Sequence, residues 1–418
     1  MLELLKDRVY LRYWLAVVVS FLGDAMTRVT LLFLVARLTH SAMMIAVAVM
    51  AQLLPSGVLA AFIGPLADRV PKRILLVGSD LVRIGIVLAM IPAQHTVWAL
   101  IALMLAEGVG KAFFETARIA AVPKVVGGPA RIPVAIALFQ STYQTVNLAG
   151  PAVAGLLIGA GSVPTVFGID AATFLVSALL LGSLAVLREM PASGQAAESY
   201  WASMRTGIRG VLAVPSLRVL LVLAIPVTIV YGLFTTNVNA EFLNVFNLSG
   251  RQYGFAQALL AGGAAIGALS GPALIRRFGK NHGLLLTGMG LFGLAMAELG
   301  PTQWIWHHSG WAAILQWCLL TGLFAGLFQV PIANTLLTDM PDELRGRGVG
   351  LLNAITFNFT ILGVLAGGAA GALFGIAGSI IVPGLVLAAF TVAAAVVLRS
   401  SASQAASQAT EKPAPVTR

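Results

Sequence analysis

The decapeptide GPLADRVPKR, Gly64 to Arg73, separates two apolar stretches at 42–66 and 74–92. Each stretch is long enough to cross a bilayer as a helix, since one span needs about 20 residues. The decapeptide itself is short and places the acid Asp68 among three basic residues. A basic turn between two apolar spans is typical of a cytoplasmic loop in a membrane protein.

The composition of the whole chain agrees with this interpretation. Of its 418 residues, 58% are hydrophobic and 10% are charged, against about 25% charged in soluble proteins. The mean hydropathy is +0.92. A soluble globular protein is therefore excluded, because so few charges cannot cover its surface. The single cysteine, Cys318, excludes an intrachain disulfide.

Apolar stretches bounded by charges, prolines or loop residues predict an all-α membrane protein with twelve transmembrane helices. These helices are predicted at 13–36, 42–66, 74–92, 97–117, 135–160, 164–187, 216–237, 253–275, 283–300, 311–338, 348–374 and 378–398. The polar segment 188–215 is a predicted cytoplasmic linker between one six-helix bundle at 1–187 and another at 216–398. The tail 399–418, rich in Ala, Ser, Gln and Pro, is predicted to be disordered.

The basic residues predict the orientation. Twelve spans place both termini on one side, and of the 26 Lys and Arg residues only Arg37 and Arg251 fall in loops on the other side. Arg28, Arg83 and Lys111 fall within predicted helices. The positive-inside rule therefore predicts a multi-pass protein of a bacterial cytoplasmic membrane with both termini in the cytoplasm. Topology accounts for the net charge of +10, and we expect no nucleic-acid partner.

An internal repeat supports the division into two halves. GPLADRVPKR at 64–73 has a counterpart in GPALIRRFGK at 271–280. LAGPAVAG at 148–155 has a counterpart in LAGGAAGA at 365–372. Two repeated halves of this kind are how many secondary transporters are built.

The decapeptide resembles the loop 2–3 signature of the major facilitator superfamily, G-x-L-A-D-R-x-G-R-R. The matching residues are Gly64, Leu66, Ala67, Asp68, Arg69 and Arg73, whereas Pro71 replaces a glycine and Lys72 an arginine. Within the superfamily, the order of features from about residue 8 to 398 is most similar to the branch of macrolide efflux proteins, the enterobactin exporter and the lysophospholipid transporter. The resemblance implies the major facilitator fold, with two pseudo-symmetric six-helix bundles.

The resemblance also implies gating roles. Asp68 and Arg69 would hold one gating state through helix 11 and the base of helix 4, because an acid flanked by bases can form an ion-pair cluster. The residues assigned to gating are Asp68, Arg69, Arg73, Asp80, Arg83, Glu115 and Arg118. A basic loop that serves only topology is the alternative. Gly150, Pro151 and Gly155 would bend helix 5, although static helix packing explains them equally well.

Charged residues inside predicted helices need a reason, since each costs about 2.5 to 3.5 kcal/mol on insertion scales. Asp24 and Arg28 have the i,i+4 spacing of a pair within helix 1. Glu107 and Lys111 lie on one face of helix 4, which continues to Glu115 and Arg118. We assign proton coupling to Asp24 and Glu107, with Arg28 and Lys111 as their partners. The resemblance implies an arginine near Glu107; either Lys111 takes its place or Glu107 carries the proton. An ion-paired scaffold is the alternative.

Uncharged polar residues at helical spacing are candidates for a central cavity lined mainly by helices 1, 4, 7 and 10. The predicted substrate contacts are Gln140, Gln144, Asn147, Tyr231, Thr235, Asn239, Asn353 and Thr356. Hydrogen bonds between helices would explain the same positions.

Enzyme chemistry finds no support in the sequence. The chain contains no H-E-x-x-H, G-x-S-x-G or C-x-x-C motif, and its five histidines lie in predicted loops. We therefore expect neither an enzyme nor a cofactor or metal. The resemblance implies a monomeric, proton-coupled exporter of a hydrophobic or amphipathic small molecule, such as a drug, macrolide or siderophore. A lysophospholipid flippase or importer is the alternative, and a non-transporting receptor or scaffold is the second.

Overall fold

The computed structural model describes residues 3–67, 70–128, 131–189, 209, 213–278, 281–339 and 342–410. Its long helices are α1 Arg8–Thr39, α2 Ala42–Ala67, α3 Lys72–Ala93, α4 Val97–Val125, α5 Ile132–Gly159, α6 Val163–Gly182, α7 Pro215–Ala240, α8 Gly250–Phe278, α9 Asn281–Ala297, α10 Trp311–Asp339, α11 Asp342–Phe374 and α12 Gly378–Thr410. Short helical segments lie at Leu4–Lys6, Ala185–Arg188, Glu241–Val245 and Leu299–Ser309. In this part of the chain, 11 helices are long and apolar enough to cross a membrane. The predicted all-α, multi-pass fold is confirmed.

Some helix ends differ from the predicted ones for local reasons. Helix α1 begins at Arg8 because the Asp7 side chain accepts a hydrogen bond from Val9 N at 2.8 Å and so caps the helix. Helix α9 stops at Ala297, and the chain turns at Glu298 before the short helix that follows. Helix α12 continues to Thr410, into the segment assigned to the tail, where alanine and glutamine favour helix.

The two halves pack in the same way. In the first half, α1 packs on α5 and α6, α2 on α4, and α3 on α4 and α6. In the second half, α7 packs on α11 and α12, α8 on α10, and α9 on α10 and α12. Adding six to each helix number of the first half gives its counterpart in the second, as the sequence repeat predicts.

The halves meet at one end of the molecule. Helix α5 packs on α8 and α2 on α11, which are equivalent pairs under the repeat. Arg37, at the end of α1, donates hydrogen bonds to Asn247 Oδ1 at 3.1 Å and Leu248 O at 3.2 Å. Because α1, α5 and α11 end here and α2 and α8 begin here, this end is opposite the start of α1 and the end of α12. We call it the closed end.

Aromatic side chains fill the second half. Trp317 on α10 is fully buried beside the equally buried Cys318. Its indole Nε1 donates to Ala295 O on α9 at 2.8 Å, and its ring packs against Phe234 and Phe242. This core holds α7, α9 and α10 together behind the central cavity.

Candidate functional site

Four charged side chains meet inside the first half, and we call them the buried ion cluster: Asp24 on α1, Arg83 on α3, and Glu107 and Lys111 on α4. Arg83 is fully buried, and its Nη2 lies 2.6 Å from Glu107 Oε1 and also contacts the Asp24 carboxylate. Lys111 Nζ lies 3.4 Å from Asp24 Oδ2. One guanidinium thus joins three helices through charge-assisted hydrogen bonds.

The surrounding residues fix the position of Arg83. Its guanidinium carbon lies 4.0 Å from the ring centroid of Phe174 on α6, a cation–π contact. On the other side, a Cβ added to Gly110 would lie 2.7 Å from Arg83 Cγ. A glycine at this position of α4 therefore makes room for the arginine stem.

The charges pair differently from the sequence prediction. Among the described residues no ion pair joins Asp24 and Arg28; instead Arg28 Nη2 donates to Asn147 Oδ1 on α5 at 2.7 Å. The predicted Asp24–Arg28 pair is wrong because residues four apart on α1 have stronger partners on other helices. Lys111 pairs with Asp24 across helices rather than along α4.

A second ion pair lies further along α4, toward the loop that follows it. Arg118 Nη2 lies 2.6 Å from Glu115 Oε2. The Arg118 guanidinium stacks on the rings of Phe21 and Phe139, and its backbone oxygen accepts from Tyr13 Oη at 2.6 Å. Gating by this pair stays a prediction.

The other residues assigned to gating are scattered. Asp68 and Arg69 lie outside the described residues. The Arg73 guanidinium lies beside α6, where a Cβ on Gly182 would be 3.7 Å from Nη2. Asp80 is fully buried between helices, and Arg83 belongs to the buried ion cluster. Asp80 and Arg83 were assigned to gating together with the loop at 64–73 because they follow it closely in the chain.

A central cavity of about 380 Å³ lies between the two halves. Its lining comes from α1, α2 and α5 of the first half and from α7, α8, α10 and α11 of the second. The polar lining residues are Arg28, Gln52, Asn147, Tyr231, Thr235, Asn239, Tyr253, Gln257, Thr321 and Thr360. Arg28 is the one charged residue among the lining residues in the described part of the chain. The remaining lining is apolar, so the cavity is amphipathic.

A hydrogen-bond network orders one wall of the central cavity. Asn239 Oδ1 accepts from Tyr253 Oη and from Gln257 Nε2 on α8. The Asn239 amide donates to Thr235 O one turn earlier on α7. The network links α7 to α8 and leaves several polar groups facing the cavity.

The predicted cavity residues have mixed outcomes. Asn147, Tyr231, Thr235 and Asn239 line the cavity, whereas Gln144 and Thr356 are not among its lining residues. The side chains of Gln140 and Asn353 lie outside the described residues. No described residue of α4 lines the cavity; the charged side chains of α4 in the buried ion cluster pair with Asp24 on α1 and Arg83 on α3.

Tyr253 and Gln257 line the central cavity from α8 but were not among the predicted substrate contacts. Their i,i+4 spacing was the available signal. The candidate bending residues lie on α5, which runs without a break through Pro151. A Cβ on Gly155 would lie 2.7 Å from Gly254 Cα, so this glycine allows close contact with α8. A bending role stays a prediction.

The central cavity and the buried ion cluster are the two features of this site that carry polar and charged groups. Within the described ranges, no group of three or more His, Cys, Asp or Glu side chains could hold a metal ion. Two matched six-helix halves around an amphipathic cavity, with buried charges beside it, define a multi-pass membrane transporter.

The family model described as Major Facilitator Superfamily matches residues 13–359 and 238–418. The chain belongs to the Major Facilitator Superfamily and is a transporter rather than an enzyme.

Known proteins agree with this assignment. The enterobactin exporter EntS of Shigella flexneri is 28% identical over 315 residues, covering 74% of this chain and 72% of that protein. The multidrug efflux pump Tap of Mycolicibacterium fortuitum is 27% identical over 367 residues, covering 83% of this chain and 85% of Tap. The crystal structure of the nucleoside transporter NupG has a TM-score of 0.68 at 15% identity and covers 93% of this chain and 98% of its own. The structural likeness shows the shared fold.

Proposed function

We propose that this transporter exports a hydrophobic or amphipathic small molecule, such as a drug, macrolide or siderophore, in exchange for protons. The observation that carries the proposal is the buried ion cluster next to the central cavity. Arg28 lines the cavity one turn along α1 from Asp24. The exporter relatives EntS and Tap support the direction of transport.

The proposed coupling follows from the pairing of Asp24. As an anion, Asp24 compensates Arg83 and Lys111. A proton on Asp24 removes that compensation and raises the positive potential near Arg28 at the cavity wall. Proton and substrate then change each other's binding free energy, which is the requirement for coupled transport.

The amphipathic lining supports the proposed substrate class. The rings of Tyr231, Phe234 and Tyr253 offer flat apolar surface, and the amides of Asn239 and Gln257 offer hydrogen bonds. Sites that bind small molecules usually combine such a lining with a few polar groups that fix orientation.

The orientation is also a proposal. From the distribution of basic residues we infer that both termini lie in the cytoplasm of a bacterial cell and that the protein lies in the cytoplasmic membrane. The monomeric state is proposed from the family resemblance. The closed end then faces outward. A C-terminal fluorescent-protein fusion should fluoresce and a C-terminal alkaline phosphatase fusion should be inactive; the reverse pattern would refute this orientation.

The function is tested with purified protein in liposomes under an imposed proton gradient. A panel of macrolides, cationic dyes, siderophores and labelled lysolipids is first screened for thermal stabilisation, since bound ligand raises apparent stability.

We expect proton-driven movement of a stabilising ligand by the wild type. Asp24→Asn and Glu107→Gln should each abolish it while expression is retained. The matched control is Glu298→Gln, outside the buried ion cluster. Full proton-driven activity in both cluster variants would refute the coupling assignment, and movement of lysolipid alone would favour a flippase.

A further inference from the structure

Two buried carboxyls of the first half take no part in the proton coupling proposed above. Asp80 on α3 is fully buried, and Asp170 on α6 is 1% exposed. Neither forms an ion pair within the described part of the chain. Because α6 packs on both α1 and α3, both carboxyls lie in the α1–α3–α6 interface: Asp170 lies against Gly23 on α1 and Asp80 near Ser177 on α6.

Asp170 is held against α1. A Cβ added to Gly23 would collide with the Asp170 carboxyl and with the Thr173 hydroxyl. The Thr173 hydroxyl also lies 3.2 Å from Asp170 Oδ1, and Thr27 on α1 faces the same carboxyl. The second oxygen, Oδ2, is buried and has no hydrogen-bond partner.

Asp80 is still less satisfied. Neither of its carboxyl oxygens makes a hydrogen bond of normal geometry, although the Ser177 hydroxyl on α6 faces it. An ionised carboxylate in such a place would lose its hydration without an ion pair or a hydrogen bond of normal geometry to replace it, which is costly. A neutral carboxylic acid would lose much less and could donate a hydrogen bond to a neighbouring hydroxyl.

Three buried hydroxyls in the same interface also lack partners: those of Ser20, Thr27 and Ser177. Arg83 Nη1 is buried without a hydrogen-bond partner as well. Buried polar atoms are almost always satisfied by protein or by ordered water. Protonated forms of Asp80 and Asp170 would provide hydrogen-bond donors for the hydroxyl oxygens among them.

The balance of charge around Arg83 also disfavours ionisation of all four nearby carboxyls. Asp24, Glu107, Asp80 and Asp170 all interact with Arg83, and Lys111 is the other cation close to Asp24 and Glu107. Four carboxylates facing two cations would leave two negative charges uncompensated. Arg28 faces Lys111 from the cavity wall and adds a third positive charge. An excess of negative charge remains. No charged residue of α6 other than Asp170 contributes.

We propose that Asp80 and Asp170 are neutral carboxylic acids in this conformation and form a proton store that supplies the buried ion cluster. When a proton passes from Asp170 to Asp24, the O–H bond on Asp170 breaks and one forms on Asp24. Arg83 then compensates the Asp170 carboxylate instead of Asp24. The total charge is unchanged, so the exchange does not add a buried charge. This exchange rests on the proposed proton coupling; the protonation of the two acids does not.

The test is infrared spectroscopy of the full-length protein in nanodiscs at neutral pH, which detects the carbonyl stretch of protonated carboxylic acids. The wild type should show this band, Asp170→Asn should lose one component, and Asp80→Asn should lose another. Glu298→Gln is the matched control and should leave both components in place. A band that is unchanged in both Asp variants would overturn the proposal, and loss in only one would overturn the two-site store.

A measurement without substitutions covers the case in which a variant fails to fold. In wild-type protein labelled with ¹³C-aspartate, the band should shift to lower frequency; an unshifted band would overturn the proposal. The band should also be unaffected by sodium, because its loss on adding sodium chloride would mean that a metal cation neutralises the carboxylates. The transport assay tests the proposed function independently. Proton-independent transport together with both infrared components would refute the proposed function, but it would agree with the protonation of Asp80 and Asp170.

Discussion

Gly155 on α5 and Gly254 on α8 touch backbone to backbone, and a Cβ on Gly155 would lie 2.7 Å from Gly254 Cα. The contact joins the two halves at the closed end. Only glycine permits so close an approach, because any side chain would separate the two helices. The state of the closed end therefore depends directly on these two residues.

Gly155→Val should open the closed end. Overpacking costs about 1–3 kcal/mol, which corresponds to a roughly 5- to 150-fold shift toward conformations in which the halves separate there. Hydrogen–deuterium exchange in the connection 246–249 should rise accordingly. The control is Gly168→Val, since a Cβ at Gly168 meets nothing within 4 Å. Unchanged exchange in Gly155→Val would show that the contact does not hold the closed end.

Arg83→Gln should strongly destabilise the first half. It leaves Asp24 and Glu107 buried without their shared cation, and breaking a buried ion pair costs about 3–5 kcal/mol. The readout is the free energy of unfolding in detergent. Adding Asp24→Asn to Arg83→Gln should recover part of the loss, because it removes one of the uncompensated charges. Arg276→Gln, at an exposed site on α8, should change stability by less than about 0.5 kcal/mol.

Gly23→Ala should displace Asp170 and lower the melting temperature. The new methyl group would collide with the Asp170 carboxyl and the Thr173 hydroxyl, and such overpacking costs about 1–3 kcal/mol. Gly85→Ala on α3 is the matched control, because its Cβ would meet nothing within 4 Å. Equal melting temperatures for the two variants would mean that α1 and α6 can separate at little cost.

Asn239→Leu should weaken ligand binding in the central cavity. It removes the acceptor shared by Tyr253 and Gln257, and leaving buried polar groups unsatisfied costs about 1–3 kcal/mol. Affinity for any stabilising ligand should fall about tenfold or more, as measured by thermal stabilisation against ligand concentration. Gln316→Leu, on the exposed face of α10, should leave the affinity unchanged. Equal affinities would place the ligand elsewhere.

The fold could be predicted because most of the chain lies in lipid, where each spanning segment must be a long apolar helix. Apolar length and the distribution of Lys and Arg locate the helices, and both signals are local in sequence. The exact ends depend on contacts that these signals ignore, such as the Asp7 cap of α1 and the turn at Glu298. The repeat at 64–73 and 271–280 was visible because both halves keep similar loops.

The site was only partly predictable, because its pairs lie between helices. Spacing along α1 predicted an ion pair between Asp24 and Arg28. Which of the cations Arg28, Lys111 and Arg83 pairs with Asp24 depends on how α3 and α4 pack against α1. Asp170 has no charged neighbour along α6 that would point to the cluster. The close approach of α1 and α6 at Gly23 brings it to the cluster.

The burial of Cys318 has a practical consequence. The only sulfhydryl of the chain is fully enclosed on α10, where water-soluble maleimides cannot reach it in the folded protein. A cysteine introduced at an exposed position, such as Ser249 or His95, would then be modified selectively without first removing the native one. Movements of the two halves can be followed by attached fluorophores in a protein whose core is left intact.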